Sequence, residues 1–458
     1  MTRSPDPFPA PLPDSLPPVE RAPRMPGGFA AVGTSARIKA SGRPDFALVV
    51  ATGGPVPAAA VFTPNRFAAA PVRLSRSNLQ ATGGTPEACG YASAVIATSG
   101  SANAATGEAG DADQAAIGMA VAEAIGAKPA HVLHLSTGII GTRLPLDKVQ
   151  AAIRRVTDEG LEYTDYALGQ AAVSLRTTDS TTKTASVAVR LPGASGGTVS
   201  ATVTGIAKGV GMIHPRMATM LSIVLTDATA SPSTLRALLR SAAAVTWDQL
   251  SVDGDTSTND TVFVLASGAA GAASADDDPA ARAALGAAIE AVARDLARQQ
   301  ARDGEGATAL ITCQVTGAAD DADARAVARA VISSSLVKAA VHGRDANWGR
   351  IAGAAGNALV AEAAVLEAAG LDPEAAALRA GRPAAVDPAR IRIAIAGHLA
   401  FDGPAGGPVG IDKAAARRAM DAEEVLIRVD LGLGDGTGEA FGCPLTEAYV
   451  KENAEYTT

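Results

Sequence analysis

Lys208-Gly209-Val210-Gly211-Met212-Ile213-His214-Pro215-Arg216-Met217-Ala218-Thr219-Met220-Leu221 is the stretch around which the chain is organised. A lysine and two glycines lead into a Pro-Arg turn, and an apolar run follows with one hydroxyl, that of Thr219, in its middle. The flanking alanine and methionines suit a buried place, where a hydroxyl needs a hydrogen-bond partner. Taken alone, the segment reads as a loop entering a helix or strand, with Thr219 an ordinary satisfied side chain. Strands are expected on both sides, around 185–191 and 198–206 upstream and over 222–228 downstream.

Working outward, short apolar runs bounded by glycine or proline predict buried strands at 46–50, 58–62, 93–97, 131–135, 262–266 and 309–315. The period-two run 390–395 predicts a half-buried strand, and 425–430 another. Helices are expected where apolar residues recur at helical spacing. One carries Ile117, Val121 and Ile125, with Asp111 or Asp113 as its cap and Gly126 as its stop. Others span 146–156, 233–244, a long stretch through Leu285, Ile289, Val292 and Leu296, and 322–340. Strands interleaved with helices imply a mixed α/β architecture.

The chain has 458 residues, 47% of them hydrophobic but only 3% aromatic, so its large core must be packed from Ala, Val, Leu and Ile. The formal charge is −8 and no basic-aromatic interleaving is present, which argues against a nucleic-acid partner. No apolar run reaches membrane-spanning length. Three widely spaced cysteines, Cys89, Cys313 and Cys443, fit a reducing cytoplasm better than a disulfide framework. Residues 1–28 are proline-rich and read as a disordered or loosely packed extension.

Several polar stretches invite a chemical reading. The run 98–103 reads as a small polar loop able to bring backbone amides near a ligand, or as a plain turn. Ser136-Thr137-Gly138 at a strand end can aim a hydroxyl and an N–H at one point, as an oxyanion hole requires, although the same residues are common turn chemistry. Arg176-Thr177-Thr178-Asp179-Ser180 is a hydroxyl-rich loop with a carboxylate. The segment 251–261 is the densest polar patch. It lacks the downstream acidic ligand of an EF-hand and reads as a self-bonded turn lining a cleft. Glu305 lies between glycines at a strand start, and the residues 344–350 around Trp348 form a plausible structural polar network. His131 and His134 have no carboxylate or thiol cluster beside them, so no metal site is expected. The glycine-rich 432–438 lacks a P-loop lysine and reads as a flexible turn, and the polar terminus at 452–458 reads as frayed.

Taken together, 136–141 with Leu144-Pro145, Thr177-Thr178-Asp179, 208–221, 251–261, 303–308, 343–350 and 449–458 resemble the ornithine acetyltransferase family, also called glutamate N-acetyltransferase or arginine-biosynthesis bifunctional protein. The pieces lie in the family's order from about residue 29 to the end. The resemblance implies an α/β fold of layered helices flanking central β-sheets, of the ornithine acetyltransferase/DmpA-like kind. It implies a chain that cuts its own Ala218–Thr219 bond into an alpha chain (29–218, after the 1–28 extension) and a beta chain (219–458), with two of each in a heterotetramer. Thr219 would be the N-terminal nucleophile, acetylated by N-acetylornithine and deacetylated by glutamate. Thr137 and Gly138 match the oxyanion-hole pair. Thr177, Lys208, Thr219, Glu305, Asn453 and Thr458 match substrate-contacting positions, with Lys208 suited to the α-carboxylate and Glu305 to the ammonium of ornithine. Asn453 and Thr458 would then bring the tail into the pocket. No metal or cofactor is implied, and some members also take acetyl from acetyl-CoA.

The sequence departs from the family pattern at Thr98–Ser101, His214, Ala309 and His342. His214 either assists processing or is a loop side chain. Those departures leave room for a related N-terminal-nucleophile acyltransferase or amidohydrolase of specialised metabolism. From a different class comes an unprocessed, non-catalytic homologue serving in binding or assembly, against which the intact nucleophile, oxyanion pair, Lys208 and Glu305 count.

Overall fold

Apolar side chains on both faces of the central strands require a cover on each side, and the computed structural model, which describes residues 16–214 and 220–454, supplies it in layers. The middle sheet has six strands in the order Cys89–Ala92, Val56–Phe62, Thr261–Ala266, Leu221–Thr226, Thr198–Lys208, Lys183–Pro192. A four-stranded sheet runs Phe29–Thr34, Phe46–Ala51, Ala94–Ser101, Val132–Ile139. Successive strand residues point to opposite faces. Leu221, Ile223, Leu225, Phe263 and Leu265 therefore meet Ala47, Val49, Leu133 and Leu135 between the two sheets. Val224, Val262 and Val264 face the helices Pro232–Val245 and Pro279–Arg302 through Leu235, Leu239, Leu285, Ile289, Val292 and Leu296. The outer face of the four-stranded sheet packs Phe46, Leu48 and Ile96 against Ile117, Val121, Val149 and Ile153 of the helices Gly107–Ile125 and Leu146–Glu159. The expected α/β layering, helices flanking central sheets, is thus present.

A third sheet, of seven strands, is built from residues after Gln249 and packs on the helix Asp321–Ser333 and its neighbours. Its glycine-rich segment is not a free turn. Gly436 starts a strand, and a Cβ there would sit 2.2 Å from the Asp320 carbonyl carbon at the head of that helix. The glycine permits a backbone-to-backbone approach that any side chain would block.

Several expectations are corrected. The helix over Ile117 begins at Gly107; Asp113 is interior to it and pairs with Arg143, while Gly126 does end it. Of the stretch 98–103 only Ala102 and Asn103 lie outside regular structure, because the strand runs on to Ser101. The expected helix 322–340 is two helices, Asp321–Ser333 and Ser335–His342, divided where Ser334 accepts a cap bond from the Val337 N–H. Residues 16–28 are tied down: Glu20 pairs with Ser186, Arg21 with Asp295, and the Met25 N–H donates to Asp165.

One buried ion cluster joins the layers beside the cavity described below. Lys183 Nζ lies 2.8 Å from Asp179 Oδ1 and 2.6 Å from Asp303 Oδ2, with its side chain fully buried. Asp179 belongs to the hydroxyl-rich loop and Asp303 caps the end of the long helix, two residues before Glu305. Burial by itself would raise the Asp179 carboxyl, but Lys208, Lys183 and the Gly209 N–H outweigh it and hold the group well below the usual carboxylate range. Lys183→Met would leave two carboxylates in a buried site without their shared cation. We expect a loss of about 3–5 kcal/mol, measured by urea unfolding; a loss under about 1 kcal/mol would contradict this role.

His134 is a buried, neutral core histidine. Asn103 Nδ2 donates to Gln114 Oε1, which leaves Gln114 Nε2 to donate to His134 Nδ1 at 2.9 Å. Burial pushes its pKa down to about 3. Between that value and the unfolded value of about 6.5 the unfolded chain binds more protons, so the stabilisation is complete above pH 6.5 and is lost as the pH falls toward 3. The loss amounts to at most about 5 kcal/mol. A stability–pH curve for His134→Asn should be flatter than wild type across this window; parallel curves would contradict the assignment.

Candidate active site

Thr137 and Gly138 lie at the end of the strand Val132–Ile139, beside its parallel neighbour Ala94–Ser101, where the pairing becomes irregular at Gly100 and Ser101. Gly138 has φ 129°, and a Cβ on it would lie 2.3 Å from the Gly100 carbonyl carbon, so only glycine fits. The hydroxyls of 98–101 do not line a ligand loop. Ser99 donates to the Ser174 carbonyl at 2.6 Å and Ser101 to the Thr142 carbonyl at 2.7 Å, tying the strand to its neighbours.

Lys208 ends the strand Thr198–Lys208 and is only 3% exposed. Its Nζ is 3.4 Å from Thr137 Oγ1, and its carbonyl accepts from Gln300 Nε2 at 2.9 Å. Burial pushes the ammonium pKa down, and the nearby Asp179 carboxylate opposes that. Across the sheet Lys208 faces Leu221, so the chain leaves and re-enters the sheet at the same level. On the re-entering side, the Met220 N–H donates to Asp260 Oδ1 at 3.1 Å and the Met220 carbonyl accepts from the Thr261 N–H at 3.1 Å. Asp260 is fully buried and its carboxyl is pushed well up by that burial, which the Met220 N–H only partly offsets.

Glu305 Oε1 accepts from Thr178 Oγ1 at 2.9 Å and Oε2 from Asn453 Nδ2 at 2.8 Å. Its own N–H donates to the Val210 carbonyl at 2.7 Å. Gly211 lets the carboxylate sit against the backbone, since a Cβ there would be 2.3 Å from Oε2. A carboxylate offers about four acceptor positions, so it keeps capacity for a cation. Asn453 is on the helix Glu447–Ala454, which Thr446 anchors by donating to the Gly306 carbonyl at 2.8 Å; up to Ala454 the C-terminal stretch is not frayed.

Thr137, Gly138, Thr177, Lys208, Glu305 and Asn453 line one cavity of about 250 Å³. Ala218, Thr219 and Thr458 lie outside the described residues. The cavity is also walled by Ser257, Thr258 and Asn259. Asn259 Nδ2 donates to the Ala102 and Ser136 carbonyls at 2.7 and 2.8 Å, which fixes the strand end that presents Thr137. Its only signal in the sequence was membership of the polar patch 251–261. In the same patch Asp253 accepts from the Met212, Ile213 and Asp255 N–H groups. His214 Nδ1 is 3.2 Å from Ser251 Oγ, and His342 Nε2 is 2.9 Å from Glu447 Oε2. In the 344–350 network Asn347 caps the helix Trp348–Gly356. Among the described residues there is no cluster of His, Cys, Asp and Glu able to hold a metal, and no helix long and apolar enough to cross a membrane. A buried ammonium and a carboxylate on one small cavity can hold the two charged ends of an amino acid.

Comparison with known proteins agrees with the motif resemblance. The sequence matches the ArgJ family over residues 30–458. It is 43% identical over 436 residues to the arginine biosynthesis bifunctional protein ArgJ of Thermosynechococcus vestitus, covering 94% of this chain and 96% of that one. With the ArgJ of Thermus thermophilus it is 40% identical over 435 residues, 95% and 99% of the two chains. Among solved structures, ornithine acetyltransferase from Mycobacterium tuberculosis, complexed with ornithine, is 38% identical and aligns with TM-score 0.38 over 43% of this chain and 97% of that one. The chain belongs to the ArgJ family, the family of arginine biosynthesis bifunctional proteins.

Proposed function

We propose that the chain cuts itself between Ala218 and Thr219 and then carries acetyl from N2-acetyl-L-ornithine to L-glutamate on the Thr219 hydroxyl. The observation that carries this reading is the convergence of Thr137, Gly138, Thr177, Lys208, Glu305 and Asn453, drawn from five distant parts of the sequence, on one cavity. Family membership supports the reaction class.

In the cut, the Thr219 hydroxyl adds to the Ala218 carbonyl carbon and the peptide C–N bond breaks. This leaves an ester on Oγ and a free α-amine. Water then cleaves the ester, giving a carboxylate on Ala218 and a second chain that begins at Thr219. A hydroxyl is a weak nucleophile and needs a base. The freed α-amine, with a reference pKa of about 7.7–8.0, takes the hydroxyl proton near neutral pH. Oγ attacks the acetyl carbonyl of N-acetylornithine, the amide bond breaks, and ornithine leaves with the proton on its amine. The glutamate α-amine attacks the acetyl ester, N-acetylglutamate departs, and Oγ regains its proton.

Thr137 and the Gly138 N–H stabilise the oxyanion of each tetrahedral intermediate. Lys208 pairs with the substrate α-carboxylate as a point charge, and Glu305, held by Thr178 and Asn453, takes the side-chain ammonium of ornithine. The ester carries the acetyl group, so the cycle uses no resident cofactor; acetyl-CoA is a second acetyl donor to be tried in the same assay. The reading extends to a cytoplasmic enzyme of two alpha and two beta chains.

Denaturing mass spectrometry of wild type should give two chains divided between Ala218 and Thr219, and Thr219→Ala should give one. Wild type mixed with N-acetylornithine and glutamate, without coenzyme A, should release ornithine and N-acetylglutamate. Thr137→Ala should lower that turnover about 100- to 1000-fold. An uncut wild-type chain, or no acetyl transfer by the cut one, would overturn the proposal.

A further inference from the structure

The turn 209–213, just upstream of the proposed cut, is held at nearly every residue. The Gly209 N–H donates to Asp179 Oδ1 at 2.8 Å, and the Val210 carbonyl accepts from the Glu305 N–H at 2.7 Å. Beyond Gly211 the backbone does something unusual for its sequence. Met212 has φ 55°, in the left-handed region that a residue with a Cβ avoids. Glycine and asparagine are the residues that ordinarily fill such a position.

Asp253 supplies what the sequence at Met212 does not. Its carboxylate accepts two successive amide N–H groups, that of Met212 at 2.5 Å and that of Ile213 at 2.8 Å. Successive N–H groups converge on one anion when the backbone forms a turn of this kind. The same residue and its neighbour bind the next carbonyl, since the Val252 and Asp253 N–H groups donate to the Ile213 oxygen at 2.7 and 3.3 Å. The carboxylate is itself fixed by the Asp255 N–H at 3.2 Å. These contacts join a residue after the proposed cut to residues before it.

We infer that Asp253 is a positioning residue for self-cleavage, one that holds Met212 in its left-handed conformation and so fixes the turn that precedes the proposed cut. The inference rests on the reading that the chain cuts itself there. After the cut the same bonds keep the tail of the first chain, and with it Lys208, seated against the second.

The test follows cleavage in time. Full-length chains are made by cell-free translation, synthesis is stopped, and conversion to fragments 1–218 and 219–458 is measured by denaturing mass spectrometry. The variants are Asp253→Ala, the isosteric Asp253→Asn, Met212→Gly, and Met212→Gly combined with each Asp253 substitution. Loss of the charge-assisted bonds should slow cleavage about 10- to 100-fold in both Asp253 variants. Glycine carries no left-handed penalty, so Met212→Gly should recover at least about fivefold of the lost rate in the Asp253 variants while changing wild type by less than about threefold.

Each substitution is also placed in the Thr219→Ala chain, and thermal unfolding of the uncut protein tells slow cleavage from failure to fold. Where Asp253→Ala does not fold, the Asp253→Asn pair decides. Wild-type rates in the Asp253 variants, or the same Met212→Gly factor in all backgrounds, would overturn the inference. A wild-type chain that never divides would instead overturn the proposed function.

Discussion

The antiparallel pairing of Thr198–Lys208 with Leu221–Thr226 is the constraint on which the site depends. It runs in unbroken register from Val203–Thr226 to Lys208–Leu221. The chain between the two strands must therefore leave the sheet beside Lys208 and return beside Met220, at the level of Thr137. The same pairing makes a cut at 218–219 survivable. In the middle sheet the downstream strands Leu221–Thr226 and Thr261–Ala266 are flanked on both sides by upstream strands, Val56–Phe62 and Thr198–Lys208. Neither fragment would hold the whole middle sheet. In the proposed cut, the strand pairing across the middle sheet would hold the two pieces together.

Charge is arranged around that pairing with few partners to spare. A buried ammonium at Lys208 is costly unless carboxylates lie near. Asp179 is such a carboxylate, and it is kept ionised by Lys183 and by the Gly209 N–H. Lys183 in turn reaches Asp303, close in sequence to Glu305, whose carboxylate is oriented by Thr178 and Asn453. Lys183 thus ties the loop of Asp179, which also holds the Gly209 N–H next to Lys208, to the helix end that precedes Glu305.

Much of the fold was legible in the sequence because these strands are covered on both faces. Runs such as Phe46–Ala51 and Thr261–Ala266 are apolar nearly throughout and bounded by turn residues. Local pattern could not show which strands share a sheet, since that is decided by pairing between separate segments, some of them more than a hundred residues apart, as Val56–Phe62 is from Thr261–Ala266. It also misjudged 98–101, where small hydroxyl residues look like a loop but are strand positions, with Ser99 and Ser101 satisfied by the Ser174 and Thr142 carbonyls. Gly436 looked like flexibility and is close packing. At the site, Thr137, Gly138, Lys208 and Glu305 were placed by resemblance to a family; their local sequence is ordinary turn and loop chemistry. Asn259, Asp253 and Gly211 acquired roles only in three dimensions, because each acts on atoms that the chain reaches after folding: the Ala102 and Ser136 carbonyls, the Met212 N–H and the Glu305 carboxylate.

In the proposed cycle a single hydroxyl, at the first residue of the second chain, carries the acetyl group between two amino acids. Trapping that ester tests it most directly. Protein mixed with N-acetylornithine in the absence of glutamate, then quenched in acid, should contain fragment 219–458 heavier by one acetyl group, located by peptide mapping on Thr219 and removed when glutamate is added before the quench. A fragment of unchanged mass during active transfer, or an acetyl group on any other residue, would rule out Thr219 as the acetyl carrier.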